Sequence, residues 1–269
     1  MTGSGKRIVV TGATGNVGTA VVRALGSDPE VGSIVGVARR PSQWGSPKTE
    51  FVTADVARDD LRAVFDGADV VIHLAWLFQP THRPEVTWRS NVVGSIRVFE
   101  TAQAMRVPAL VYASSIGAYS PRDDDHPITE DWPTHGSPKS AYTREKAYVE
   151  RVLDAFDRSH PRLRVVRLRP GFLFQRAAAS EQRRLFDGPF VPGKLVRPSL
   201  IPATPGLFDA VLHLPVMDCT RAREELGWTP RYSSEDAIEA FLKGLRENEG
   251  LPAEPLRSDV GRVHELATG

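Results

Sequence analysis

Tyr142 and Lys146 lie one helical turn apart in the stretch SAYTREKAY, residues 140–148. At spacing i, i+4 two side chains share one face of a helix. Such a pair either decorates a solvated surface or handles a proton. A phenol with a reference pKa of ~10 is a poor base near neutrality. A neighbouring ammonium favours phenolate and moves that pKa down. Lys146 is therefore expected to turn Tyr142 into a usable acid–base group.

A second pattern points to a dinucleotide. TGATGNVG (11–18) carries Gly12, Gly15 and Gly18 between a strand-like run and a helix-like one, with Thr14, Asn16 and Val17 completing the loop. Glycine permits the tight turn and lets backbone approach a pyrophosphate seated on a helix N-terminus. The earlier TGSGKR (2–7) mimics a phosphate loop, but it lacks the upstream glycine and has Arg7 where a hydroxyl residue is needed. It reads as a frayed start. An acidic residue at the end of the second strand would hold a ribose 2′-hydroxyl. Here that place reads Ala38, Arg39, Arg40. Arginine suits a 2′-phosphate through bidentate, charge-assisted hydrogen bonds. NADP is favoured over NAD, the alternative being a solvated arginine pair beside a loop.

These groups need elements to position them. Short apolar runs at 6–12, 33–38, 50–55, 69–75, 109–115 and 163–170 read as strands. Between them lie helical patterns at 16–26, 84–106 and 140–158. Continuous apolar strands alternating with helices imply an α/β fold, a Rossmann-like doubly wound parallel sheet. After residue 170 the texture changes. Residues 186–206, dense in Pro and Gly, read as loop; the chain recovers at 220–228, 233–245 reads as a capped helix, and 246–269 as a polar tail that frays. The expected division is a dinucleotide-binding domain over 1–175 and a small C-terminal lobe over 176–269.

Bulk properties narrow the function classes. The 269 residues are 41% hydrophobic and 25% charged, as in an ordinary globular protein, and the net charge is +1. No global field recruits nucleic acid or an anionic membrane. The single cysteine, Cys219, allows no intrachain disulfide and no cysteine-based zinc site, and it reads as buried and inert. His126 and His135 share a loop with Asp123–Asp125, yet neither metal spacing nor a nucleophile elbow accompanies them. No metal site is expected. With no secretory leader and no membrane-length apolar run, the expected location is cytoplasmic.

The chain resembles the extended short-chain dehydrogenase/reductase family, also described as NAD-dependent epimerase/dehydratase, over residues 7–175. The motifs are TGATGNVG (11–18), Asp55, DVVIHLA (69–75), NVVGS (91–95), VYASSIGAYS (111–120) and the Tyr142-x-x-x-Lys146 pair. The resemblance implies that Ser115, four residues before Tyr119, hydrogen-bonds the substrate oxygen. It implies that Tyr142 passes the hydroxyl proton and that Lys146 also holds the nicotinamide ribose. It extends the cofactor-side set to Asp55, Val56, Leu74, Ala75, Ala113, Pro170 and Gly171. Asp55 would meet the adenine amino group or cap the following helix. Asn91 would brace a loop near the site or bond to helix backbone, and His73 reads as a satisfied strand histidine.

The chain also departs from that pattern. SLIPATPGLFDAVLHLPVMD (199–218) runs almost directly into TRAREELGWTPR (220–231), which resembles the family's C-terminal signature. A shortened substrate lobe and a sheet without its last strand or strands are expected. Arg183, Arg184, Lys194 and Arg197 in that lobe either meet a diphosphate or are solvated. Two readings follow: an NAD(P)-dependent oxidoreductase or epimerase acting on a sugar nucleotide or other small molecule, or a dinucleotide-binding sensor with little catalysis. The resemblance also makes a homodimer through the helices at 84–106 and 140–158 possible.

Overall fold

The computed structural model describes residues 5–78, 83–179, 181, 205–252 and 256. Six parallel strands form one sheet: β1 (Lys6–Thr11), β2 (Val31–Ala38), β3 (Thr49–Thr53), β4 (Val70–His73), β5 (Ala109–Ala113) and β6 (Arg164–Leu168). Their order is β3-β2-β1-β4-β5-β6. All six were legible as apolar runs, though most end a residue or two sooner than the runs do. The reason is that the chain leaves the sheet at its C-terminal edge to build loops.

Alternation along β1 divides the core. Val9 faces a layer containing Val71, Leu110, Phe99, Val149 and Leu153, whereas Ile8 and Val10 face Val22, Ile34 and Trp44. Burial on both faces is what a parallel sheet requires. Helix α1 (Asn16–Gly26) covers one face. The other carries α4 (Gly94–Ala104) and α5 (Ala141–Ser159), whose apolar residues pack on the sheet. A short α2 (Arg62–Phe65) precedes β4.

The long helix expected at 84–106 is interrupted. It consists of α3 (Pro84–Trp88), a π-helical turn (Arg89–Val93) and then α4. The extra residue in that turn seats Asn91 and Val92 in the interior.

Past β6 come α6 (Pro205–Leu212), α7 (Thr220–Leu226) and α8 (Ser234–Arg246). Helix α8 starts with a capping box between Ser233 and Asp236. Helix α6 was not legible; Pro205 and Gly206, expected in a loop, open it. The rest of that loop, with Arg183, Arg184, Lys194 and Arg197, lies outside the described residues. Within the tail expected to fray, Leu256 is buried and its carbonyl accepts from Leu251 N–H at 2.8 Å. Cys219 is half-buried rather than buried, because it sits at the start of α7 on the surface. Among the described residues no helix is long and apolar enough to cross a membrane, and no cluster could hold a metal ion.

Candidate active site

The strand order reverses beside β1, and a crevice at such a point binds ligands in open α/β sheets. Each predicted loop arrives there from a strand end. Gly12 turns with φ +75°, where a Cβ would lie 2.7 Å from Ala75 N; at Gly18 it would lie 2.1 Å from Gly12 O. Gly15 differs. A Cβ there would meet only Gly12 O, at 3.4 Å, with open space beyond. Gly15 caps α1, whose first N–H groups lack helical partners. The loop therefore offers an approachable backbone at a positive helix end.

The other cofactor-side residues distribute around it. Thr14 and Val56 are buried, and Val17, Leu74 and Ala75 are half-buried. Asn16 ties the loop to the segment after β6: Nδ2 donates to Leu173 O at 2.8 Å, and Oδ1 accepts from Gln175 Nε2 at 2.7 Å. Arg39 and Arg40 are exposed just past β2. Asp55 caps a turn, accepting from Ala57 N–H at 2.9 Å.

Ser115 caps a 3₁₀ turn (Ile116–Ala118) after β5, its Oγ accepting from Gly117 N–H at 3.0 Å. That leaves the serine proton free to point elsewhere, and Ser115 Oγ and the Tyr142 ring flank the same Gly117, each 3.4 Å from where a Cβ would stand. Lys146, one turn further along α5, is buried and donates to Ala113 O at 2.7 Å. Ile116 N–H donates to Pro170 O at 3.0 Å, holding Pro170 and Gly171 beside the serine turn. Ser115, Tyr142 and Lys146 are thus brought together.

The electrostatics of the pair differ from expectation. Burial pushes the Tyr142 pKa up, and only the nearby Ser115 hydroxyl opposes it. Burial also drives the Lys146 ammonium well below its ordinary value, against the pull of Glu150 and Glu145. In this arrangement the phenol keeps its proton. The physical reason is the aromatic cover. The Trp76 and Phe78 rings lie 5.9 and 5.3 Å from the Tyr142 ring, and the Trp76 ring centroid is 3.5 Å from Lys146 Nζ. Desolvation of the charged form then dominates. The pocket beside Tyr142 is lined by Trp76, Leu77, Phe78, Thr87, Ala141 and Glu145.

A buried polar chain fixes this wall. Thr11 Oγ1 lies 2.7 Å from His73 Nδ1, and Ser95 Oγ lies 2.9 Å from His73 Nε2. Ser95 Oγ donates to Asn91 O, so it accepts from Nε2–H. His73 is therefore the neutral Nε2–H tautomer, and burial, helped by the Lys146 charge, pushes its pKa down to about 3. Asn91 accepts from Leu77 N–H at 2.6 Å and donates to Leu77 O at 2.8 Å and to Glu145 Oε2 at 2.7 Å. Of the two roles open to Asn91, bracing the loop is the one observed. Glu145 Oε1 takes the Thr87 hydroxyl at 2.7 Å.

Sequence reasoning missed Trp76, Phe78, Glu145 and the buried Glu150–Arg169 pair. Two signals were present: aromatics directly after a strand, and Glu150 at i+4 from Lys146. Neither told which way the side chain turns.

Known proteins share this framework. L-arabinose 1-dehydrogenase (NAD(P)(+)) of Haloferax volcanii is 38% identical over 114 residues, 40% of this chain and 41% of its own. UDP-glucose 4-epimerase of Pisum sativum is 28% identical over 207 residues, 70% of this chain and 57% of its own. The chain spans about half the length of these curated relatives. A Thermotoga maritima UDP-glucose 4-epimerase structure with UDP-glucose shares the fold, with a TM-score of 0.68 at 19% identity over 90% of this chain and 99% of that one. A short-chain dehydrogenase/reductase superfamily protein from Agrobacterium tumefaciens with bound NAD gives 0.57 at 29% identity, over 68% and 54%. The family model matches residues 8–185, well over half of the sequence, and the chain belongs to the NAD dependent epimerase/dehydratase family.

Proposed function

We propose that this chain is an NAD(P)-dependent oxidoreductase or epimerase acting on a hydroxyl or carbonyl of a sugar nucleotide or another small molecule. The observation that carries the reading is the convergence of Ser115 and Tyr142 on Gly117, with Lys146 one turn on, at the sheet edge that holds the glycine loop. The loop fits a dinucleotide: open space at Gly15 on a helix N-terminus suits a pyrophosphate. Gly12, Thr14, Gly15, Asn16, Val17 and Gly18 would hold it. Asp55 and Val56 would sit at the adenine, and Leu74, Ala75, Ala113, Pro170 and Gly171 toward the nicotinamide. Arg39 and Arg40 support NADP over NAD.

A bound nicotinamide dinucleotide supplies a hydride donor or acceptor. Ser115 Oγ–H hydrogen-bonds the substrate oxygen and steadies charge developing there. In the reducing direction Tyr142 gives its proton to the carbonyl oxygen; in the oxidising direction the phenolate takes the hydroxyl proton. The Lys146 ammonium stabilises that phenolate and would bond the nicotinamide ribose. Residues 1–175 would form the dinucleotide side and 176–269 the substrate side. The half-exposed Trp88 and Tyr148, 4.8 Å apart on α3 and α5, support a homodimer through these helices.

A second reading, a dinucleotide-binding sensor with little catalysis, is favoured by the aromatic rings over Tyr142. A screen of sugar nucleotides and small carbonyls, followed by reduced-nicotinamide absorbance and product analysis, separates the two. Turnover of any of them supports the enzyme; dinucleotide binding with no turnover supports the sensor.

A further inference from the structure

An ammonium carries three N–H donors. Among the described residues, Lys146 Nζ gives one of them to an oxygen, that of Ala113. Its other close neighbours are π-faces: Trp76 at 3.5 Å from the ring centroid, Tyr112 at 5.2 Å and Tyr142 at 5.9 Å. The indole stands where further oxygen acceptors would. A cation over an indole is attracted by the ring quadrupole, more so with water excluded.

The indole holds this place at a cost. Its Nε1 is buried without a hydrogen-bond partner, and an unsatisfied buried donor is unfavourable. The backbone on either side is fixed. Leu77 is held at both N–H and C=O by Asn91, and Ala75 is packed on Gly12. Rotation of the Trp76 side chain is the change that uncovers Lys146 without disturbing those contacts.

We propose that Trp76 is a built-in competitor for the dinucleotide. Its indole covers the ammonium that the nicotinamide-side ribose hydroxyls must reach, and binding displaces it. This rests on the reading that Lys146 holds that ribose. The indole taxes affinity by the fraction of molecules in which it is seated. The adenosine diphosphate half, which does not extend to Lys146, is not taxed.

The test is calorimetric titration of the full chain, wild type, Trp76→Ala and Trp76→Leu, with NAD⁺, NADP⁺ and ADP. Both variants are expected to bind the preferred dinucleotide about tenfold more tightly, ~1.4 kcal/mol, with ADP affinity unchanged. Tryptophan emission of the wild type should change on dinucleotide addition, and the change should vanish in Trp76→Leu. Leucine keeps apolar bulk against the core and carries the test if the alanine variant melts. Equal or weaker dinucleotide binding by a folded variant, with wild type still binding, overturns the competitor and spares the dinucleotide reading. Failure of every form to bind ADP or either dinucleotide overturns both.

Discussion

Replacing Glu150 by glutamine removes one charge from a carboxylate that α5 buries one turn beyond Lys146. The Glu150 side chain is 1% exposed and that of Arg169 16%. Arg169 grips it with two bonds, Nε to Oε1 at 2.8 Å and a terminal nitrogen to Oε2 at 3.1 Å. Arg167 adds a weaker contact at 3.5 Å. Breaking a buried pair from one side costs about 3–5 kcal/mol, because the surviving charge stays buried. Here Arg169 keeps the Tyr119 hydroxyl at 2.8 Å and Glu130 O at 3.3 Å, and glutamine retains one acceptor. The low end, about 3 kcal/mol, is expected. At roughly 2–4 °C per kcal/mol for a chain of this size, Tm should fall by about 6–12 °C in a circular-dichroism melt. Adding Arg169→Met should recover part of the loss, since the orphaned charge goes with it. Burial alone would raise the Glu150 pKa; the Arg169 hydrogen bonds and charge outweigh it and hold it below the ordinary glutamate range. A depressed carboxyl stabilises above its unfolded pKa and loses that contribution as pH falls through the folded one. The gap between wild type and variant should therefore close in acid. A Tm change under about 2 °C near neutrality, or a gap that widens in acid, would refute the reasoning.

Other perturbations follow from the same geometry. Gly15→Asp has room for its side chain but puts a carboxylate where a pyrophosphate would sit; it should fold and lose dinucleotide binding, and unchanged calorimetric affinity would count against the loop's role. Arg39 and Arg40 predict tighter binding of NADPH than NADH, and a titration giving the reverse order removes that assignment. His73, neutral in the fold down to about pH 3, should make stability fall as pH drops below its unfolded value of ~6.5. By pH 5 that loss is about 2 kcal/mol, read from urea midpoints; a His73→Gln variant with the same pH slope would sink the attribution.

The sequence carried the framework because the framework is periodic. Apolar runs separated by helices can satisfy a doubly covered parallel sheet and little else, so all six strands were legible. Gly12 and Gly18 were readable because only glycine tolerates those backbone approaches, and Gly15 by its place between them. Tyr142 and Lys146 stood out by their helical spacing, and Ser115 through the family resemblance alone. The state of the site was not. It depends on Trp76 and Phe78, loop residues whose direction no periodicity encodes, and the burial they contribute to at Tyr142 pushes its pKa up. The π-helical turn escaped notice because one extra residue in a helix leaves the apolar pattern nearly intact, yet it seats Asn91 against Leu77 and Glu145. The Glu150–Arg169 pair joins positions nineteen residues apart in the chain, which a linear reading does not connect.

The central claim is that the Tyr142 hydroxyl passes a proton to or from the substrate oxygen. Tyr142→Phe keeps the ring packed on Trp76 and Phe78 and deletes only that hydroxyl. On the first sugar nucleotide or carbonyl turned over, the variant should lose at least about 100-fold in turnover while its dinucleotide affinity, measured by calorimetry, stays that of the wild type. Turnover undiminished in a folded, dinucleotide-binding Tyr142→Phe protein would contradict the account.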